Sequence, residues 1–452
     1  MRVHFIAIGG SAMHNLAIAL HKKGYMVTGS DDEIFEPSKS KLKKFNLLPE
    51  KWGWYPEKIL PEIDAIILGM HARKDNPELL KALDMGLKVY SYPEYLYSQT
   101  SDKLRVVVGG SHGKTTVTSM IMHVLKVAGK QYDFMVGAQL EGFDTMVNLT
   151  KENKIAVFEG DEYLSSPIDL RPKFLWYQPN IAVLTGVAWD HINVFPTFEN
   201  YVQQFELFVK SMPDNGTLVY YGHDPVLKEI VLKHQNRLKL ISYEALNNKT
   251  VKNHTIIELN GKEYQLKIFG QHNMENLNAA LYVCLQLGVT EEVFMTCIST
   301  FKGAARRLQI LREESGSTIF FDFAHSPSKL KATTNAVKSQ YSDRKLVACM
   351  ELHTFSSLNK SFLPQYRHSM NLADEAYIYF NPDVIRHKKL EPFTVNDVKK
   401  AFDHPDLEVF TDSSALIKKL KKHQWSLTNL LIMTSGNFDG IDIKAFVEKL
   451  AI

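Results

Sequence analysis

The chain has 452 residues, enough at about 150 per domain for three domains with separate cores, which excludes a disulfide-stapled miniprotein. At 45% hydrophobic and 23% charged it is too apolar for a disordered chain, and a net charge of +3 gives no global drive toward nucleic acid or an anionic membrane. Cys284, Cys297 and Cys349 lie far apart in apolar runs with no CxxC spacing, so they read as reduced core thiols. Met1 leads directly into an apolar strand, without a charged n-region or cleavage site, and no run of 18 apolar residues occurs. The expectation is a cytoplasmic protein that binds neither nucleic acid nor membrane, with its oligomeric state left unspecified.

In chain order, the apolar runs Val3 to Ile8, Met26 to Asp31, Ala65 to Leu68 and Lys88 to Tyr90 predict strands, with a helix from Ser11 to Lys23 between the first two. That is the βαβ rhythm of a parallel sheet. A polar break at Ser101-Asp102 sets a boundary near 103. A strand from Leu104 to Val108 then feeds a glycine turn and a helix with Val117, Met120, Ile121, Val124 and Leu125 on one face. Further strands are predicted at Ile155 to Phe158 and Ile181 to Thr185. Asn260-Gly261, between His254 to Leu259 and Lys262 to Phe269, signals a type I′ hairpin added to the parallel sheet. After Arg306-Arg307 the pattern restarts with strands at Thr318 to Phe323, Lys345 to Met350, Ala376 to Phe380 and Leu430 to Met433, and a helix from about Pro327. The fold class is α/β, with three doubly wound units at 1–103, 104–303 and 304–452.

Gly109-Gly110-Ser111-His112-Gly113-Lys114-Thr115-Thr116 follows a buried strand and opens a helix. Glycines there let backbone N–H groups converge on phosphate oxygens, Lys114 adds a mobile positive charge, and the Thr115 hydroxyl suits Mg²⁺. Valine at 108, where GxxxxGK[ST] needs glycine, makes this a variant of that loop. A second strand-to-helix turn, Ile8-Gly9-Gly10-Ser11-Ala12-Met13, with Asp31 ending the next strand, offers a place for a nucleotide diphosphate or is simply a structural turn. Glu159, in Phe158-Glu159-Gly160-Asp161-Glu162, and His191, in Asp190-His191, follow strands whose carboxyl ends belong beside the phosphate loop, where they either converge on the metal or cap the strands. Asn273 and Asn276, in Gly270-Gln271-His272-Asn273-Met274-Glu275-Asn276, either bond a purine edge or cap their helix. Arg306-Arg307 suits phosphate or surface acids. Asp322 and His325, in Asp322-Phe323-Ala324-His325-Ser326-Pro327, sit at a strand end suited to a ribose and the nucleotide.

Taken together and in this order, these segments resemble the Mur ligase family from residue 1 to about residue 440. Its GTHGKT[TS], EADE-type turn, DH, HNxxN, arginine pair and D-[YF]-[GA]-H-x-P motifs run in the same sequence. The resemblance implies an N-terminal domain holding a UDP-sugar, a central ATPase domain, and a C-terminal domain that closes over the nucleotide and receives an amine. It assigns Gly110, Ser111, His112, Gly113, Lys114, Thr115 and Thr116 to the phosphates, and Thr115, Glu159 and His191 to Mg²⁺. Asn273 and Asn276 fall to the adenine side, and Arg307, Asp322 and His325 to the nucleotide from the last domain. Lys114, Glu159 and His191 form the implied catalytic set, and Gly9, Gly10, Ser11, Ala12, Met13, Asp31, Arg73 and Asn76 the implied UDP-N-acetylmuramate site.

Departures from the family pattern are Ala7 and Ala12 in the first turn, Gly160, Gly186, Ala305 and Ser326. Residues 69–77, Glu162-Tyr163 and 435–441 are more similar to members that attach a short peptide. His353-Thr354-Phe355 is more similar to members that attach L-alanine, and the peptide reading is favoured. The implied reaction activates the lactyl carboxylate of the sugar nucleotide as an acyl phosphate for attack by the amine. A P-loop kinase and a catalytically silent nucleotide or UDP-sugar sensor are the readings from other classes. Lys114→Ala is expected to abolish turnover with the fold intact.

Overall fold

Three mainly parallel sheets succeed one another along the chain, so the α/β class read from the sequence is found in the structure. The computed structural model describes every residue except 141, 190–193, 315 and 452. Contacts gather the described chain into two compact bodies, residues 1–244 with 276–297 and residues 245–275 with 298–452.

The first sheet has four parallel strands, with Arg2–Ile6 between Met26–Ser30 and Ala65–Leu68, and Val89–Ser91 at the edge. Ile6 pairs in register with Ser30 and with Leu68, so the turn after Ile6 emerges beside Asp31 and Gly69 at the carboxyl edge. The helix Ser11–Lys22 leaves from that turn with Gly10 as its N-cap.

The second sheet has seven strands, with Leu104–Gly109 near its middle, between Ile155–Glu159 and Ile181–Leu184. Val106, Val107 and Val108 are fully buried, as an unbroken valine run requires in a strand covered on both faces. Val108 pairs with Glu159 and Gly109 with Leu184, which brings the ends of three strands to one line. The helix Phe198–Lys210 buries Tyr201, Phe205, Phe208 and Val209 along one face. Phe174 stacks on Phe208 at 4.6 Å and meets Phe205 edge-on, and burial of each such ring is worth about 2–3 kcal/mol. This aromatic block fixes where the Tyr201 hydroxyl points.

The third sheet orders Gln309–Glu314, Ser317–Asp322, Thr428–Met433, Lys345–Leu352, Glu375–Phe380 and Leu407–Phe410, all parallel except the first pair. The expected hairpin is present, with Asn260 and Gly261 both at positive φ (52° and 77°). It does not extend the parallel sheet, however. It joins Lys249–Val251 in a separate three-stranded antiparallel sheet.

Candidate active site

The loop between Leu104–Gly109 and the helix Lys114–Val127 is shaped by two glycines with left-handed backbones, Gly110 at φ 125° and Gly113 at φ 81°. A β-carbon on Gly110 would collide with the Thr185 hydroxyl, and one on Gly113 with the Asn276 side-chain oxygen. Asn276, in the helix Gln271–Gln286, therefore lies against the phosphate loop, a placement the sequence reading of a purine-edge or capping residue did not specify. Gly110→Ala is expected to weaken MgADP binding by roughly tenfold or more through strain and clash, checked by calorimetry.

The Thr115 hydroxyl donates to Glu159 Oε1 at 2.8 Å, and the Gly137 N–H donates to Glu159 Oε2 at 2.7 Å. A hydroxyl and a carboxylate sharing one point beside a helix N-terminus form an oxygen donor set that suits Mg²⁺, which takes one or two carboxylates together with phosphate oxygens. Among the described residues no group of three or more His, Cys, Asp or Glu side chains could hold a metal alone. Thr116 is buried in the first turn of the same helix. His191 lies outside the described residues.

Lys114 Nζ donates to Gly110 O at 2.6 Å and to Glu162 Oε2 at 2.7 Å, and the Glu162 carboxyl is essentially fully buried. Burial alone would lower the Lys114 pKa, but the carboxylates of Glu162, Asp161 and Glu159 outweigh it and hold the pKa above the ordinary lysine range. Burial pushes the Asp161 carboxyl up, yet Lys173, at 2.5 Å, and Lys114 hold it down at about 2. Sequence reasoning assigned no role to Glu162, Gly137, Tyr201 or Lys173. The acidic turn 159–162 was visible, but nothing in it distinguishes the carboxylate facing Lys114 from the other two.

In the N-terminal sheet, Gly9 N–H donates to Asp31 Oδ2 at 2.7 Å, tying the first turn to the end of the second strand. Burial raises the Asp31 pKa to about 6, with help from Asp32 and against the Gly9 bond. Met13 is buried, whereas Ser11 and Ala12 at the start of the helix are exposed. Arg73 is exposed and paired with Asp75 at 2.9 Å. Asn76 is buried and spends its side-chain oxygen on the N–H groups of Glu78 and Leu79, capping the helix Pro77–Asp84. Ala7 is held at φ 67°, the left-handed region in which the family motif carries glycine.

In the C-terminal sheet, Asp322 accepts from Leu308 N–H at 2.5 Å and from Ala324 N–H at 2.6 Å. Burial lifts its pKa to about 6, against the Arg307 charge and these two amides. The Arg307 guanidinium lies 4.8 Å over the Phe323 ring, and His325 Nδ1 is 2.8 Å from Phe323 O. Arg307, Asp322 and His325 thus form one cluster. Asn273 donates its side-chain amide back to Phe269 O at 2.8 Å.

A buried parallel strand, a glycine loop, a Lys-Thr helix start and a carboxylate in register on the next strand define a P-loop nucleotide-binding protein. The chain belongs to the Mur ligase family, whose members are ATP-dependent amide-bond ligases. Residues 2–103 match the Mur ligase family, catalytic domain, and residues 108–284 the Mur ligase middle domain. The UDP-N-acetylmuramate–L-alanine ligase of Aquifex aeolicus is 33% identical over 366 residues, 78% of this chain and 78% of that protein. The UDP-N-acetylmuramate–L-alanyl-gamma-D-glutamyl-meso-2,6-diaminoheptandioate ligase of Escherichia coli is 26% identical over 454 residues, 98% of this chain and 97% of that protein. The crystal structure of a murein peptide ligase from Psychrobacter arcticus covers 100% of both chains with a TM-score of 0.66 at 23% identity, which speaks for the fold. Among the described residues no helix is long and apolar enough to cross a membrane.

Proposed function

We propose that this enzyme joins the lactyl carboxylate of UDP-N-acetylmuramate to the amine of a short murein peptide, releasing ADP and phosphate. The observation that carries this reading is the alignment with the Escherichia coli peptide ligase over 98% of the chain, against 78% for the Aquifex aeolicus alanine ligase. The Lys114, Thr115 and Glu159 geometry supports the same chemistry. Thr115 and Glu159 would hold Mg²⁺, with His191 as the further ligand the family pattern suggests. When bound, the metal neutralises charge on the transferred phosphoryl group.

Lys114 supplies positive charge at the phosphates, and the amides of residues 110–113 orient them, so positioning and electrostatics carry the acceleration. Asn276 serves the adenine side with Asn273, and Arg307, Asp322 and His325 serve the nucleotide from the C-terminal sheet. Gly9, Gly10, Ser11, Ala12, Met13, Asp31 and Arg73 serve the UDP-sugar, with Asn76 acting through the helix it caps. Three domains divided near 103 and 303, working in the cytoplasm, complete the proposal.

The test is phosphate release with ATP, Mg²⁺ and UDP-N-acetylmuramate, offering L-alanine and the L-Ala-γ-D-Glu-meso-diaminopimelate tripeptide in parallel. Release with the tripeptide is the expected result. Release with L-alanine alone would assign the enzyme to the alanine-adding members instead. ADP formation that ignores the amine would point to a kinase, and none with any amine to a silent sensor.

A further inference from the structure

Lys114 does not stand alone over its loop. Its ammonium is shared between Gly110 O at 2.6 Å and both Glu162 oxygens, at 2.7 and 3.1 Å. Glu162 Oε1 also accepts from the Tyr201 hydroxyl at 3.1 Å. Tyr201 Oη lies 3.0 Å from Ser111 Oγ, which itself accepts from Ala188 N–H at 2.8 Å. The donors therefore run one way, from the Ala188 amide through Ser111 and Tyr201 to Glu162. This chain joins the phosphate loop, the turn after Ile155–Glu159 and the helix Phe198–Lys210.

Tyr201 and Glu162 are both fully buried, and Tyr201 is locked by a tilted contact with Phe195 and an edge contact with Phe205. A buried charge pair gains little stability over an apolar pair of the same size, so stability does not account for this arrangement. An ammonium has three N–H donors; with one on Gly110 O and one on the Glu162 carboxylate, the third can be aimed.

Resting on the ligase reading above, we infer that Glu162, held by Tyr201, is the positioning residue for Lys114. It fixes one donor of the ammonium so that another meets the phosphoryl group during transfer. The same carboxylate repels the anionic nucleotide in the ground state. Glu162→Gln should therefore damage the chemical step without weakening ATP binding, the opposite of what loss of a simple binding contact does.

The test measures kcat and the KM for ATP by phosphate release with saturating UDP-N-acetylmuramate and tripeptide. In Glu162→Gln, kcat is expected to fall by roughly a hundredfold, the scale of a misplaced catalytic group. In Tyr201→Phe it is expected to fall by roughly tenfold, the scale of one hydrogen bond to a charged group. KM for ATP is expected to stay level or drop in both. Wild-type kcat in either variant, or a rise in KM for ATP, overturns the inference. If Glu162→Gln fails to fold, Tyr201→Phe decides alone, since it removes one hydroxyl from an aromatic block that otherwise stays packed. A wild-type enzyme that releases no phosphate with the tripeptide overturns the ligase reading itself, whereas an active wild type with unaffected variants overturns only the role given to Glu162.

Discussion

Lys114→Ala is expected to abolish ATP-dependent phosphate release and, in the same molecule, to weaken the fold. Sequence reasoning predicts only the first effect, because it treats the lysine as a mobile side chain facing a ligand. In the structure its partner Glu162 is buried, and removing one member of a buried ion pair costs about 3–5 kcal/mol. The double variant Lys114→Ala with Glu162→Gln should recover most of that loss, because a neutral amide is cheaper to bury than a carboxylate, while remaining inactive. Urea denaturation of the wild type, both single variants and the double variant closes the cycle. A Lys114→Ala protein as stable as the wild type would show that the pair contributes nothing to the resting fold.

The second large effect is a dependence of stability on pH carried by Asp322. Its pKa rises from 3.8 to about 6 on folding, because burial outweighs Arg307 and the two amides that it accepts from. The native state therefore binds more protons than the unfolded chain between about pH 4 and 6, and stability is lost as the pH rises through that window. A rise of that size corresponds to about 3 kcal/mol. Asp31, also raised to about 6, acts in the same direction in the N-terminal sheet.

Asp322→Asn removes the titration but keeps a single acceptor oxygen, so either Leu308 or Ala324 loses a partner for its N–H, at about 1–3 kcal/mol. The variant should be less stable than the wild type at pH 4, with the gap closing by about 3 kcal/mol toward pH 7. Parallel stability profiles across that range would show that Asp322 ionises at its ordinary pKa.

The fold was legible wherever burial left a pattern. Val106 to Val108, Ala65 to Leu68 and Leu430 to Met433 are apolar runs because parallel strands are covered on both faces, and each is a strand in the structure. Asn260-Gly261 announced its hairpin because few other residues take two consecutive left-handed conformations. The strand Lys239–Tyr243 went unread because it lies at a sheet edge with half-exposed residues, and Val147–Asn148 because two residues carry no periodicity.

The site was legible in its loop chemistry, and less so where one residue type serves two ends. Asn76 and Asn273 have the composition of binding residues, but each directs its side chain to a neighbouring backbone group. Tyr201 looked like one more aromatic on an amphipathic helix. Its hydroxyl becomes informative only once tertiary packing places it between Ser111 and Glu162.

The two larger parallel sheets each end in a strand that runs the wrong way. In one it is Val147–Asn148, only two residues long; in the other it is Gln309–Glu314, which shifts register between Ile310 and Arg312 and carries Arg312, Glu313 and Glu314. Short, irregular, charged borders of this kind make poor templates for a neighbour's backbone. At these two margins, crowded copies of the chain should resist growing into shared β-structure.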